Sequence, residues 1–319
     1  MSERWVWDRY WQCDRIASCF DGAGATNYDD SIAAGWRDFF AALPTGARII
    51  DLCTGNGAIA LIAAAAGKDF SITAVDQADI DPPSFVTRHR DEIGKFRFLG
   101  RTEVEALPFP DDSFDVAISQ YGLEYSEVPR TVSEIARVLG PGGRVRFVVH
   151  ASDGIVAANA RTVIAEADLL LGEIDLMGAS RRCFEACAAV EGGDVSEDAR
   201  EKAKAAFQAF RTALQLTGAQ IPKAADQMMF HNSGGVMLDA FQARGRVGYE
   251  AVFAKVDTVE GEILAHRGRL QALVDAAVDA KGVEALCTQL RDAGTIDTHH
   301  APLQSAGGLI GYVVSARFA

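Results

Sequence analysis

The stretch Ile50–Leu61, with the sequence IDLCTGNGAIAL, constrains the fold more than any other part of this chain. It joins an apolar run that ends in an acid to a turn containing Gly55 and Gly57, and then to an alanine-rich segment without a helix breaker. Glycines in a tight strand-to-helix turn let a ligand approach the backbone, and the first turn of the helix presents unpaired N–H groups. The stretch therefore predicts a strand, a ligand-binding loop and a helix.

The same alternation of apolar runs and helical segments continues from Ala47 to His150. Strands are predicted at 47–52, 70–75, 96–99, 114–119 and 144–149, with helices at 58–66, 82–93 and 130–139 between them. Alternation with short connections predicts a parallel sheet whose crossovers are right-handed. We therefore predict an α/β fold built on a doubly wound, Rossmann-like sheet.

The pattern changes after His150. Helical spacing dominates from about residue 155 to 290, with breaks predicted at Gly192–Gly193 and Gly234–Gly235, and strand alternation returns after Gly294. The final segment predicts an antiparallel hairpin that closes the sheet at its edge. We predict four regions in order: an N-terminal lid over 1–46, a core over 47–150, a large helical insertion over the substrate site at 151–293, and a C-terminal hairpin over 294–319.

Charge and cysteine usage limit the classes of partner. The formal net charge of the 319 residues is −13 and the short basic clusters are flanked by acids, so nucleic acid and anionic membranes are not expected partners. No apolar run approaches the length of a membrane span, and the six cysteines show no C-x-x-C pairing. Cys183 and Cys187 stand one helical turn apart, but two small residues on a buried helix face explain them without a metal. We predict a cytoplasmic protein without a metal site.

Further motifs follow the first one in order along the chain. Asp76 ends the second predicted strand, where a carboxylate can accept both hydrogen bonds of a ribose diol. The segment 103–115 has the sequence EVEALPFPDDSFD, and the segment 134–149 has the sequence EIARVLGPGGRVRFVV. A Gly-x-Gly turn alone serves dinucleotides as well as sulfonium nucleosides, so the combination of the motifs is what carries information.

Together these segments resemble the class I S-adenosylmethionine-dependent methyltransferases, in the subgroup of small-molecule enzymes with type 11-like motifs. That subgroup carries an acid-x-acid-x-Leu-Pro-Phe stretch and a Glu-Ile-x-Arg-Val-Leu-x-Pro-Gly-Gly stretch, and both are present here. The resemblance covers 47–150 and the final hairpin. One position departs from it, because Cys53 stands where the family has its first loop glycine.

The resemblance implies that S-adenosylmethionine is the cofactor, and it assigns the binding residues by position. Asp51 and the glycine loop would hold the methionine end, and Asp76 would take the ribose hydroxyls. Gln77 would flank the adenine, with Glu103 near its amino group. The full set lies in the loop and at the strand ends: Asp51, Cys53, Gly55, Asn56, Gly57, Asp76, Gln77, Glu103, Val104, Ser119 and Gln120.

Methyl transfer from a sulfonium is an in-line displacement, so the protein has to align the acceptor and exclude water. An oxygen or nitrogen acceptor with a high pKa also needs a base, and His150, at the end of the fifth predicted strand, is the first candidate. His231 is a second candidate, and Tyr121 would line the path between the methyl group and its acceptor. Trp11 and Tyr28, in the predicted lid, are with Tyr121 the predicted substrate-facing residues.

These expectations describe an enzyme that methylates an O, N, S or C nucleophile of a small molecule. The alternative is a cofactor-binding protein without turnover that serves as a regulatory or scaffold partner. Methylation of amide or nucleobase nitrogens is not favoured, because the segment after the fourth strand lacks an Asn/Asp-Pro-Pro-Tyr/Phe acceptor platform. For the insertion, pairing of its long helix between two subunits in a homodimer is the alternative to a cap over the site.

Overall fold

The computed structural model describes residues 3–18, 27–28 and 30–319. The chain divides into two compact units, one formed by the residues up to Ala158 together with Ala272–Ala319, the other by Asn159–Gln271. The part of the predicted lid at 19–26 lies outside the described residues. Among the described residues, no helix combines the length and the apolar character that a membrane-spanning segment needs.

The first unit is built on one open sheet of seven strands. The strands are β1 (Arg48–Leu52), β2 (Ser71–Val75), β3 (Arg97–Leu99), β4 (Phe114–Gln120), β5 (Leu139–His150), β6 (Thr295–Ser305) and β7 (Gly308–Phe318). Their order is β3-β2-β1-β4-β5-β7-β6, with the first five parallel and β7 antiparallel to both β5 and β6. This confirms the predicted doubly wound, Rossmann-like sheet. The hairpin extends one edge of the sheet, which stays open.

Apolar cores lie on both faces of this sheet. Ile49 and Ile50, neighbours on β1, belong to different cores because successive strand residues point to opposite faces. One core packs against α6 (Val128–Val138) and α12 (Ala280–Asp292), the other against α2 (Asp30–Ala41) and α3 (Ala58–Ala64). Burial on both faces explains why the strands are continuous apolar runs in the sequence.

Two boundaries in the sheet unit differ from the sequence-based expectation. The helix predicted at 82–93 is split into α4 (Pro82–Phe85) and α5 (Arg90–Ile93), because Val86 is extended and His89 adopts a left-handed backbone with φ of 55°. Strand β5 begins at Leu139 instead of residue 144, since Leu139 pairs with Phe114 across a register shift in β4. The Gly-Pro-Gly-Gly segment is therefore part of the strand.

The second unit consists of helices. They are α7 (Ile155–Leu171), α8 (Leu176–Glu191), α9 (Glu197–Gln220), α10 (Gln227–Val247) and α11 (Tyr249–Ala276), of which α7 and α11 extend into the first unit. Phe184, Phe210 and Phe230 are fully buried in its core. The helical character of the segment agrees with its sequence pattern, whereas the four-region division of the chain stays a prediction.

Glycine pairs were expected to separate helices in this unit. Gly192 follows the last residue of α8 as expected, but the break predicted at Gly234–Gly235 is wrong, because both residues lie inside α10. A Cβ on Gly234 would approach Cγ2 of Thr217 on α9 to 3.3 Å. Gly234 therefore allows close packing of two helices.

Candidate active site

A cleft opens at the carboxyl ends of β1, β2 and β4, where open α/β sheets bind their ligands. It has two chambers with empty volumes of about 520 Å³ and about 440 Å³, open mouths included. The larger, which we name the Asp76 chamber, includes Asp76, Gln77, Ala78 and Gly122; the smaller, the Gln120 chamber, includes Ser18, Tyr28, Asp51, Thr54 and Gln120. Both chambers are also lined by Trp7, Trp11, Cys53, Tyr121 and Tyr125.

Asp76 is a buried carboxylate held in place by two backbone amides. The N–H of Gly55 donates to Oδ2 and the N–H of Ala78 donates to Oδ1, each at 2.8 Å. Burial raises the pKa of Asp76 to about 6, although these two hydrogen bonds oppose the shift. Each carboxylate oxygen has a second lone pair, so the group can still accept hydrogen bonds from a ligand in the Asp76 chamber.

Asp51, at the end of β1, is the second buried acid of the cleft. Its Oδ2 accepts a hydrogen bond from the Thr54 hydroxyl at 2.7 Å, and both residues line the Gln120 chamber. Burial is the main cause that raises the pKa of Asp51 to about 7, and the negative charge of Asp76 adds to it. A cationic ligand group would favour the ionised form of Asp51.

The loop after β1 has the left-handed turns that its glycines predict. Gly55 and Gly57 have φ of 55° and 84°, and Cys53 has φ of 56°, which explains why the family carries a glycine at that position. Asn56 is fully buried, and its amide donates to the backbone carbonyls of Trp11 at 3.0 Å and Arg15 at 2.7 Å. Asn56 thus fixes the N-terminal segment on the loop and does not line either chamber.

Gln120, at the end of β4, is oriented by a residue that the sequence analysis missed. Its Oε1 accepts a hydrogen bond from the Trp36 indole N–H at 2.7 Å. Because an indole nitrogen only donates, the amide oxygen has to face Trp36 and the NH₂ group has to point the other way. Gln120 Nε2 is buried, and no described residue accepts its hydrogen bond. Sequence pattern gave no signal for this pair because 84 residues separate the two side chains.

His150 lies behind the cleft wall. Its side chain is 1% exposed, its Nδ1 is 2.7 Å from Glu124 Oε1, and its backbone N–H donates to the same oxygen at 2.9 Å. The imidazole stacks on the Tyr121 ring with centroids 4.0 Å apart. Tyr121 lines both chambers, whereas His150 is not among their lining residues. Glu124, which the sequence analysis did not single out, therefore holds His150, which in turn supports Tyr121.

Comparison with known proteins identifies the sheet unit. Residues 50–147 match the family model described as a methyltransferase domain. The sheet unit carries a class I methyltransferase domain. The chain is 36% identical over 107 residues to a ubiquinone/menaquinone biosynthesis C-methyltransferase of Geobacter sulfurreducens, covering 31% of this chain and 40% of that protein.

Two further similarities concern the same domain. A 2-phytyl-1,4-naphtoquinone methyltransferase of Synechococcus elongatus is 30% identical over 145 residues, which are 42% of this chain and 60% of that one. A solved S-adenosylmethionine-dependent methyltransferase from Mesorhizobium loti has 26% identity and a TM-score of 0.30, over 37% of this chain and 55% of that one. The chain spans about half the length of the curated relatives it matches.

The N-terminal segment covers the methyltransferase domain's glycine loop. Trp11, the last residue of α1 (Glu3–Trp11), places its ring where a Cβ on Gly55 would be only 2.4 Å away. The carboxylate of Asp8 accepts a hydrogen bond from the backbone of Asp79 at 2.7 Å. Tyr28 lines the Gln120 chamber, and its hydroxyl is 3.1 Å from that of Ser18. Trp11 and Tyr28 thus line the cleft, and a lid role for the segment stays a prediction.

Other expected site residues lie elsewhere. Ser119 is buried and donates to the Leu52 carbonyl at 3.0 Å, so it joins β4 to β1 behind the chambers. Glu103 is exposed and Val104 is packed in the core, and His231 is exposed on α10 of the helical unit. None of these four is among the described lining residues of the cleft, and their functional roles stay predictions. The described residues contain no cluster of three or more side chains suited to a metal ion.

The residues of the cleft fit an S-adenosyl nucleoside. The Asp76 chamber offers a fixed, buried carboxylate to a diol, and the Gln120 chamber offers the Asp51 carboxylate to a cationic group. The buried NH₂ group of Gln120 has no partner among the described residues, so it can donate to a ligand oxygen. The cleft therefore has matched groups for a long, polar ligand across the carboxyl edge of the sheet.

Proposed function

We propose that this protein is an S-adenosylmethionine-dependent methyltransferase that acts on a small molecule. The observation that carries the proposal is the Asp76 carboxylate, which is anchored beside the glycine loop of a methyltransferase domain and lines the Asp76 chamber. In this proposal Asp76 accepts from the ribose hydroxyls and Gln77 lies beside the base. Asp51 faces the methionine amino group, whose positive charge would favour the ionised carboxylate.

The bound cofactor supplies an electrophilic methyl group on a sulfonium, which needs no covalent help from the protein. The chain has to align the acceptor with that methyl group and keep water out. Trp7, Trp11, Tyr121 and Tyr125 surround both chambers with aromatic rings and are suited to that task. The acceptor would lie in the Gln120 chamber, beside Tyr28 and Tyr121.

The class of acceptor is a small molecule with an O, N, S or C nucleophile. No lysine or arginine is among the described residues that line the Gln120 chamber, which disfavours a polyanionic acceptor. Two of the three similar proteins named above are, by name, methyltransferases of ubiquinone/menaquinone biosynthesis and of 2-phytyl-1,4-naphtoquinone, and the aromatic walls of the cleft suit a ring. A cytoplasmic location and a homodimer through the helical unit stay predictions.

A base role for His150 stays a prediction as well, and the geometry favours a different task. Since the Tyr121 ring stacks on His150 and lines both chambers, whereas His150 lines neither, His150 would act as a positioning residue that holds Tyr121. The Glu124 carboxylate fixes the imidazole at its Nδ1 edge. In a positioning role, His150 sets the angle of the cleft wall instead of removing a proton from the acceptor.

Calorimetric titration with S-adenosylhomocysteine tests the proposal. We expect the native protein to bind it and NAD to give no heat, and Asp76→Ala to weaken binding about 100-fold, because two hydrogen bonds to a charged group are lost. Asp76→Asn should fall between the two, as it keeps one acceptor. Asp69→Asn is the matched control, since Asp69 is an exposed acid that precedes the opposite end of β2.

The same samples decide between an enzyme and a cofactor-binding protein without turnover. Release of S-adenosylhomocysteine from S-adenosylmethionine, measured against a panel of quinols, phenols, amines and thiols, is expected with at least one acceptor. If the native protein bound neither the methyl donor nor its demethylated form, the proposed function would be wrong.

A further inference from the structure

A second cavity in the sheet unit plays no part in the proposed function. It lies between the 3-10 turn Leu123–Tyr125, β5 and α12, and its empty volume is about 420 Å³ including an open mouth. It shares none of its described lining residues with the two chambers of the cleft. Most of its wall is apolar, formed by residues such as Leu123, Val128, Val149, Val278 and Leu286.

Glu124 is the exception in this apolar wall. Its side chain is 1% exposed, and Oε1 is engaged by the Nδ1 atom and the backbone N–H of His150. The other carboxylate oxygen, Oε2, is buried and receives no hydrogen bond from the described residues. Burying half of a carboxylate without a donor is costly, because the lost hydration is not replaced. An external donor that reached Oε2 from the cavity, after a small rotation of the buried carboxylate, would remove that cost.

The other polar side chain that lines the cavity also has a buried oxygen that accepts no hydrogen bond from the described residues. Gln289, on α12, also lines it, and its Oε1 is a buried acceptor without a partner among the described residues. No lysine, arginine or histidine is among the described lining residues. The cavity therefore combines an apolar surface with two unfilled acceptors, one of them on a carboxylate. A ligand that complements it has several N–H donors, a positive charge and an apolar body.

We propose that this Glu124 cavity is a binding site for a primary organic ammonium with an apolar body. The ammonium would donate to Glu124 Oε2 and reach Gln289 Oε1, while the hydrocarbon part would lie against the valine and leucine side chains. The site is distinct from the cleft and does not depend on the function proposed for it. Neither S-adenosylmethionine nor a methyl acceptor is needed to test it.

Titration with benzylamine, benzyl alcohol and toluene tests the charge and donor requirement with one hydrocarbon body. We expect the native protein to bind benzylamine at least about tenfold more tightly than benzyl alcohol, and toluene least, since a hydrogen bond to a charged group is stronger than a neutral one. Glu124→Gln keeps the size of the side chain and an acceptor for His150 but removes the charge. In this variant benzylamine and benzyl alcohol should bind about equally tightly.

Two more variants control for folding and for surface charge. Ala285 is exposed at the cavity, so Ala285→Trp should block the site without disturbing the core and should abolish binding of all probes. Glu284→Gln removes an exposed acid next to it and should leave benzylamine binding unchanged. Equal binding of benzylamine and benzyl alcohol by the native protein would overturn the proposal, as would amine binding that survives Ala285→Trp. If Glu124→Gln did not fold, Ala285→Trp would decide the question alone.

Discussion

The turns after β1 and after β4 have the same left-handed start but are supported by different parts of the molecule. Each begins with a non-glycine residue in a left-handed backbone, Cys53 and Tyr121, both with φ of 56°, and each of these two side chains lines both chambers. The first turn is covered by the N-terminal segment through Trp11 and Asn56. The second is supported from within the sheet by His150. One cleft wall thus depends on the N-terminal segment and the other on the core.

The two turns meet at Gly122. Its φ of −140° is open to any residue, so the glycine is needed for space: a Cβ there would be 2.3 Å from the Cβ of Cys53. We expect Gly122→Ala to lower the free energy of unfolding by about 2–3 kcal/mol, since neither Cβ can move without its backbone. Chemical denaturation measures this loss.

The double variant Cys53→Gly with Gly122→Ala tests whether contact between the two Cβ atoms causes the loss of stability in Gly122→Ala. Removing the Cys53 side chain should recover most of the stability, although the Ser119 hydroxyl at 3.1 Å from the new Cβ leaves a small residual cost. If the effects of the two substitutions on the free energy of unfolding were additive, the two turns would be independent. The contact between the two Cβ atoms would then not explain the loss of stability.

Asn56→Ala should affect only the first turn. The fully buried amide donates to the carbonyls of Trp11 and Arg15, and leaving such acceptors unpaired costs about 1–3 kcal/mol. We expect the N-terminal segment to open locally, with faster amide exchange in residues 3–18 and unchanged exchange in β4 and β5. Gln12→Ala is the control, because it removes an exposed amide of the same segment whose hydrogen bond to the Asp79 carbonyl is long, at 3.4 Å. Equal acceleration in both turns would contradict the separate support of the two walls.

The difference between the turns also decides what the sequence could predict. The glycine pattern 55–57 and the acids Asp51 and Asp76 are local signals, so the first turn and its placement on the sheet were predictable. The contacts of Trp36 with Gln120 and of Glu124 with His150 join residues far apart in sequence, and no local pattern marks them. Tyr121 carries no signal for a left-handed backbone, because tyrosine rarely adopts it. Gln120 and Tyr121 were thus predicted by their position at the end of the fourth strand, whereas the contacts that support them became visible only in three dimensions.

The acids beside the first turn make its ligand contacts pH-dependent. Burial raises the pKa of Asp51 to about 7 and that of Asp76 to about 6, both well above the usual range of an aspartate. The stability they contribute is complete below the unfolded pKa and is lost as pH rises through these raised values. Ligand binding has the opposite sign, because the proposed contacts need ionised carboxylates.

We therefore expect S-adenosylhomocysteine to bind about tenfold more weakly at about pH 6 than at about pH 8. Calorimetry across this range measures the change, and thermal unfolding of the ligand-free protein should show the reverse trend. Asp51→Asn keeps an acceptor for Thr54 and should flatten both profiles. If affinity stayed constant over the range, neither acid would change its protonation state on ligand binding between these two pH values.

Cys53→Gly alone should have the smallest effect, and it separates strain from contact. A left-handed non-glycine residue costs about 1–2 kcal/mol, and a glycine loses about 0.5–1 kcal/mol more chain entropy on folding, so the net gain in the free energy of unfolding should stay below about 1.5 kcal/mol. Burial raises the pKa of the Cys53 thiol well above its usual value, so the substitution removes a neutral group from the cleft and affinity for S-adenosylhomocysteine should change little. A gain of about 2 kcal/mol or more, measured by denaturation, would mean that backbone strain at Cys53 dominates. The recovery in the double variant would then arise from relieved strain, and the contact through Gly122 would no longer explain why the two turns depend on each other.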